Sequence, residues 1–168
     1  IAPFKMRSVD INVILDLMIH DIDIIQSIVN SPIKNLSASG SPVLSKEIDI
    51  ASARVEFENG CVANVTASRI SLKSERKMRI FQQDCYISVD FQNASVMICR
   101  KGEKEMFPGI PEIITEESVF NDDDALRSEI NAFLDAIQTG SHPVVSGEDG
   151  KRALETATHI SELITKQL

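Results

Sequence analysis

Residues 53–69 read ARVEFENGCVANVTASR. Apolar and polar side chains alternate through Val55 and Phe57 and again through Ala63 and Val65, the period of a half-buried strand. Asn59-Gly60 lies between the two runs, and that dipeptide readily takes the positive φ angles of a type I′ turn. The segment predicts an antiparallel hairpin. Downstream, the runs Lys77–Phe81, Cys85–Phe91 and Ser95–Arg100 are separated by Gln82-Gln83-Asp84 and Gln92-Asn93-Ala94, which extends the pattern into a meander. In 85–91 the residues Cys85, Ile87, Val89 and Phe91 alternate with Tyr86, Ser88 and Asp90, predicting one apolar and one mixed sheet face.

Outward from the strands, helical signals take over. From Val9 to Val29 apolar residues are so dense that the spacing predicts a helix buried nearly all round, ended by Ser31-Pro32 because proline cannot continue the ladder. A strand is expected at 33–39. Lys101–Asp124, with Pro108, Gly109 and Pro111, reads as an edge strand plus exposed loop. Leu126, Ile130, Phe133, Leu134 and Ile137 recur at helical spacing before Gly140, a C′ glycine. Ser146 and Asp149 form a capping-box start for a last helix. The expected fold is α+β, an open and mainly antiparallel β-sheet of five or six strands with helices packed on one face.

The 168 residues suit one core, and 43% of them are hydrophobic. Lys and Arg number 17 against 25 Asp and Glu, a formal charge of -8, which argues against a nucleic-acid or anionic-membrane partner. No run reaches the roughly 18–20 apolar residues of a membrane span. Cys61, Cys85 and Cys99 are odd in number and lack C-x-x-C spacing, predicting buried free thiols in a reducing, cytoplasmic setting. The chain begins with Ile, not Met, and further sequence is expected upstream.

The seven glycines contain no G-x-G pair, and no G-x-x-x-x-G-K-[ST] run occurs, so neither a dinucleotide fingerprint nor a P-loop is present, and no cofactor-binding residue is assigned. G-x-S-x-G is missing as well. His142 and His159 have no ligand spacing, and no metal site is expected. What remains is Asp16-x-x-x-His20 in the run DLMIHDIDI. A carboxylate one helical turn from an imidazole fixes its tautomer and raises its basicity, as a general acid or base near neutrality requires. The alternative is a core histidine bonded to a helix neighbour. Arg69, Lys73, Arg76, Lys77 and Arg79 concentrate positive charge around residues 71–77, either a solvated loop or a contact for the phosphate or carboxylate of a ligand.

The run Asp16–Asp23, the hairpin 53–69, RIFQQDCYISVDF (79–91) and FLDAIQTGSHPVVSGEDGKRALE (133–155) together resemble the C-terminal domain of Gfo/Idh/MocA oxidoreductases. MIHDIDI and RIFQQDCYISVDF are most similar to the branch of UDP-N-acetylglucosamine 3-dehydrogenases. The resemblance covers nearly the whole chain. It implies that residues 1–168 are a substrate-binding and oligomerisation domain of an enzyme that transfers hydride between NAD or NADP and a hydroxyl carbon of a sugar or sugar nucleotide. It further implies that His20 is the general acid/base and that Asp16 orients it or binds substrate. Arg69, Lys73 and Arg76 are the remaining substrate-binding candidates. Members of the family carry the cofactor on an N-terminal Rossmann domain with a catalytic Lys, neither of which is found in these residues, so the chain alone is expected to be inactive. A homo-oligomer, dimer or tetramer, is expected through the outer sheet face bearing Val55, Phe57, Ile87, Val89 and Phe91. The competing expectation is a non-catalytic α+β module for ligand binding or dimerisation.

Overall fold

A computed structural model of the chain describes residues 1–4, 10–120 and 124–168. They form two compact units, one of residues 1–74 with 140–168 and one of residues 75–139. The α+β class is as expected, and the described residues contain seven strands in two hydrogen-bonded sheets instead of five or six in one.

In the first unit, β1 (Ile33–Ser41), β2 (Ile50–Phe57) and β3 (Val62–Ser68) pair antiparallel in that order. The hairpin at Asn59-Gly60 forms, but not by a type I′ turn. Only Gly60 has positive φ, at 87°. Gly60 donates its N–H to the Phe57 carbonyl at 3.0 Å, while Phe57 donates to Cys61 at 2.9 Å. This is a three-residue loop whose glycine takes the left-handed position. Asn59 keeps an ordinary backbone because its groups are used elsewhere: its N–H reaches Ser31 Oγ at 3.2 Å and its Oδ1 accepts from Cys61 at 3.0 Å.

Alternation along β2 buries Ala51, Ala53, Val55 and Phe57 on one face. Val55 and Phe57 therefore belong to the interior, which corrects their expected place on the outer face. Helices α1 (Ile19–Val29) and α3 (Gly147–Thr165) pack with this sheet and with each other. Ile14, Met18 and Ile22 meet Ala153, Ala157, Ile160 and Ile164 in the core, each fully buried Ile contributing about 1.5–3 kcal/mol. Helix α1 is thus buried on one face, not all round, and Ile28 is 55% exposed. Asn30, in the left-handed region at φ 44°, ends it just ahead of Pro32. Val9, the expected start of the helix, lies outside the described residues. The capping box of α3 forms as expected: Ser146 Oγ accepts from the Asp149 N–H, and the Asp149 carboxylate accepts from the Ser146 N–H.

The second unit is the meander β4 (Lys77–Gln82), β5 (Cys85–Asp90), β6 (Ser95–Phe107) and β7 (Ile110–Val119), in that spatial order. Pro108-Gly109 turns β6 into β7, so most of the expected exposed loop is a long hairpin; residues 121–123 lie outside the described set. Helix α2 (Ala125–Thr139) follows, with Gly140 at φ 66° just beyond it. Its apolar stripe is as expected, yet Leu126, Ile130, Phe133, Leu134 and Ile137 are all exposed. The three cysteines are free, but Cys61 is exposed and Cys85 and Cys99 are only half-buried, which corrects the expectation that all three are buried.

Candidate active site

Asn12 opens the segment that carries the candidate pair. Its Oδ1 accepts the N–H groups of Ile14 at 3.1 Å and Leu15 at 3.0 Å, satisfying two of the orphan donors at a helix start. Residues Ile14–Met18 then form a π-helical turn, with the Ile19 N–H donating to the Ile14 carbonyl, before α1 continues. Such turns are rare and recur at functional sites. Asp16 lies within the π turn and is half-buried; His20 lies in the first turn of α1 and is exposed.

The wider turn alters the expected geometry. Four residues no longer make a full turn, and no hydrogen bond joins the two side chains among the described contacts. His20 is a surface residue of its unit and is not part of that unit's core. An exposed imidazole is open to a ligand and able to exchange a proton with it.

Arg69 is placed differently from expectation. It is 5% exposed, and its Nε donates to Asp49 Oδ1 at 2.7 Å. Its Nη1 donates to the Ile11 carbonyl at 2.7 Å. A guanidinium engaged in this way inside the unit is not presented to a substrate. Lys73 is exposed in the first unit. Arg76, in the second, lies 4.8 Å from the Phe91 ring centre in a cation–π contact. Lys77 pairs with Asp90 at 3.5 Å.

Sequence reasoning passed over Asp49. Its Oδ2 accepts the N–H groups of Val43 at 2.8 Å, Leu44 at 2.6 Å and Ser45 at 2.8 Å, and its Oδ1 accepts the Ser45 hydroxyl at 2.7 Å. Burial alone would raise this carboxyl, but the bonds from Val43, Ser45 and Leu44 outweigh it and hold the group well below the usual carboxylate range. A signal was present. The β2–β3 register pairs Ile50 with Ser68, so the preceding Asp49 and following Arg69 stand opposite each other as an acid and a base.

The described helix starts leave little room for a pyrophosphate. Asn12 caps the first, Asp124 Oδ1 accepts from Leu126 and Arg127 at the second, and Ser146 with Asp149 closes the third. Two of the three are occupied by a carboxylate, which repels a phosphate where free N–H groups would attract one. These three helix starts do not offer a dinucleotide cradle. Among the described residues, no helix is long and apolar enough to cross a membrane.

Fold and site together define an α+β domain of antiparallel sheets with a carboxylate and an imidazole at the start of its first helix. The chain belongs to the GFO/IDH/MocA family, whose C-terminal domain matches residues 5–88. It is similar to UDP-N-acetylglucosamine 3-dehydrogenase from Acidithiobacillus ferrooxidans, 40% identical over 160 residues that span 95% of this chain and 51% of that protein. A solved structure of a UDP-N-acetylglucosamine 3-dehydrogenase from that organism superposes with a TM-score of 0.89 at 39% identity, over 97% of this chain and 52% of that one. Myo-inositol 2-dehydrogenase from Thermotoga maritima is 24% identical over 159 residues, 90% of this chain and 46% of that protein. Levoglucosan dehydrogenase in complex with NADH shares the fold, with a TM-score of 0.78 at 16% identity over 92% of this chain and 48% of that one. The chain thus spans about half the length of the relatives it matches.

Proposed function

We propose that this chain is the substrate-binding and oligomerisation domain of an NAD(P)-dependent dehydrogenase that oxidises a hydroxyl carbon of a sugar nucleotide, a UDP-N-acetylhexosamine in particular. The observation that carries this reading is the 40% identity over 95% of the chain to a UDP-N-acetylglucosamine 3-dehydrogenase. The exposed His20 at the start of α1 supports it.

In this reading His20 accepts the hydroxyl proton as the carbon loses hydride, and returns it in the reverse direction. Asp16 orients the imidazole or meets the substrate. The nicotinamide, when bound, supplies the hydride acceptor. Sequence outside residues 1–168 holds that cofactor, so the chain by itself neither binds NAD(H) tightly nor turns over. Lys73, exposed on the same unit as His20, carries charge that the substrate's phosphates meet. The enzyme acts in the cytoplasm as a dimer or tetramer associated through the sheet of Ile87, Val89 and Phe91; light scattering at micromolar concentration checks this, and a monodisperse monomer overturns it.

The deciding experiment compares His20→Ala and Asp16→Ala in the whole enzyme, assayed with UDP-N-acetylglucosamine and NAD⁺. His20→Ala lowers kcat/KM by roughly 10²–10⁴ with little change in Tm. Asp16→Ala lowers it less and shifts the acidic limb of the pH profile. Full activity in a folded His20→Ala enzyme rejects the proton-transfer role.

A further inference from the structure

We infer that the buried Asp49–Arg69 pair positions the helix start that carries Asp16 and His20, so that both are positioning residues for the reaction; this rests on the proposed acid–base role of His20. Asp49 is fully buried and Arg69 nearly so. Burying two charges is costly, and well-packed apolar residues at such a place are often as stable or more so. What the charged pair adds is geometry.

The carboxylate of Asp49 is saturated by three backbone N–H groups, the Ser45 hydroxyl and Arg69 Nε. Its partner guanidinium is held in one orientation as a result. Arg69 Nη1 is then aimed at the Ile11 carbonyl, a charge-assisted bond of 2.7 Å, while Nη2 reaches Ser45 Oγ at 3.3 Å and the Ile48 carbonyl at 3.5 Å. Two residues beyond Ile11, the Val13 N–H donates to the Ile48 carbonyl at 2.9 Å. Bonds on both sides of Asn12 therefore fasten this segment to the corner made by Ile48, Asp49 and Arg69. Asn12 caps the π turn directly. Asp16 and His20 follow at four and eight residues from that fixed point.

Neither Asp49 nor Arg69 needs to touch substrate to matter. A displacement of about 1 Å in an acid–base group costs up to roughly 10²-fold in rate. A neutral or shorter side chain at position 69 leaves the Ile11 carbonyl without its donor and lets the helix start shift.

The test uses the whole enzyme with UDP-N-acetylglucosamine and NAD⁺, carrying Arg69→Met, Arg69→Lys or the double substitution Asp49→Asn/Arg69→Met. The double variant keeps an acceptor for the loop N–H groups and leaves no unpaired buried charge, so it folds where Arg69→Met alone fails. The expected result is a roughly 10- to 100-fold loss in kcat with KM for NAD⁺ unchanged. The acidic limb of the pH profile is displaced, and amide exchange over residues 12–20 rises at least about tenfold while α3 stays protected. Arg69→Lys keeps the charge but not the fork and recovers only part of the rate. Wild-type kcat and pH profile in the folded double variant overturn the inference, as does unchanged exchange over residues 12–20. If His20→Ala retains full activity, the acid–base reading falls and takes the catalytic half of this inference with it. The exchange measurement then still decides whether the pair fixes the helix start.

Discussion

Gln26 Nε2 donates to Thr156 Oγ1 at 2.8 Å, joining α1 to α3 across 130 residues of sequence. The direction of this bond is fixed by its neighbour. Thr156 spends its own proton on the Arg152 carbonyl at 3.1 Å, so toward Gln26 it acts only as an acceptor. Gln26 Oε1 consequently finds no donor among the described residues. Both residues also line a cleft of about 450 Å³ with Asn30, Arg152 and Glu155, at the opposite end of α1 from His20.

Thr156→Val therefore strands the buried Gln26 amide at both ends. The expected loss is about 1–3 kcal/mol of stability, measured by urea unfolding. Gln26→Met combined with Thr156→Val removes both partners and recovers most of it. A double variant as unstable as Thr156→Val alone contradicts this account.

Asp49 predicts the acid response. Its carboxyl is held below the usual range in the folded chain, so its contribution to stability is fully present above the unfolded value near 4 and is lost as pH falls toward the folded value. Asp90, through the Asn93 N–H, and Asp149, through Ser146, are lowered as well and act in the same direction. Urea midpoints measured from pH 7 to pH 2 fall progressively below about pH 4. Asp49→Asn is less stable than the parent at pH 7, and the gap narrows toward pH 2. A gap that does not depend on pH contradicts the assignment.

Gly40 is required by close approach, not by a positive φ. A Cβ there would stand 2.7 Å from the Ile50 carbonyl oxygen and 3.0 Å from both Ile164 Cδ1 and Ile48 Cγ2. The carbonyl is backbone and cannot swing aside. Gly40→Ala is expected to cost about 1–3 kcal/mol as overpacking, seen as a lower Tm. An unchanged Tm would mean that β1 and β2 yield more easily than their pairing implies.

Much of this protein was legible in local sequence. Asn59-Gly60 between alternating runs marked the β2–β3 hairpin, Ser146 and Asp149 marked the start of α3, and Gly140 marked the end of α2. Each is a short-range preference in which a few neighbouring residues decide the backbone. The Asp16-x-x-x-His20 spacing was legible in the same way, as was the resemblance to the family.

What spacing cannot carry is which surface covers a side chain. Val55 and Phe57 alternate as an outer face would, but α1 and α3 settle on their side of the sheet. Arg69 looks like a ligand-binding cation until the β2–β3 register sets Asp49 opposite it and the Ile11 carbonyl beside it. The π turn at Ile14–Met18 is equally silent in the sequence, whose apolar pattern suits an ordinary helix. Local propensity chose the helices, strands and turns because those energies depend on adjacent residues. The burial of Arg69 and the openness of His20 depend on partners tens of residues away, so only the folded arrangement decided them.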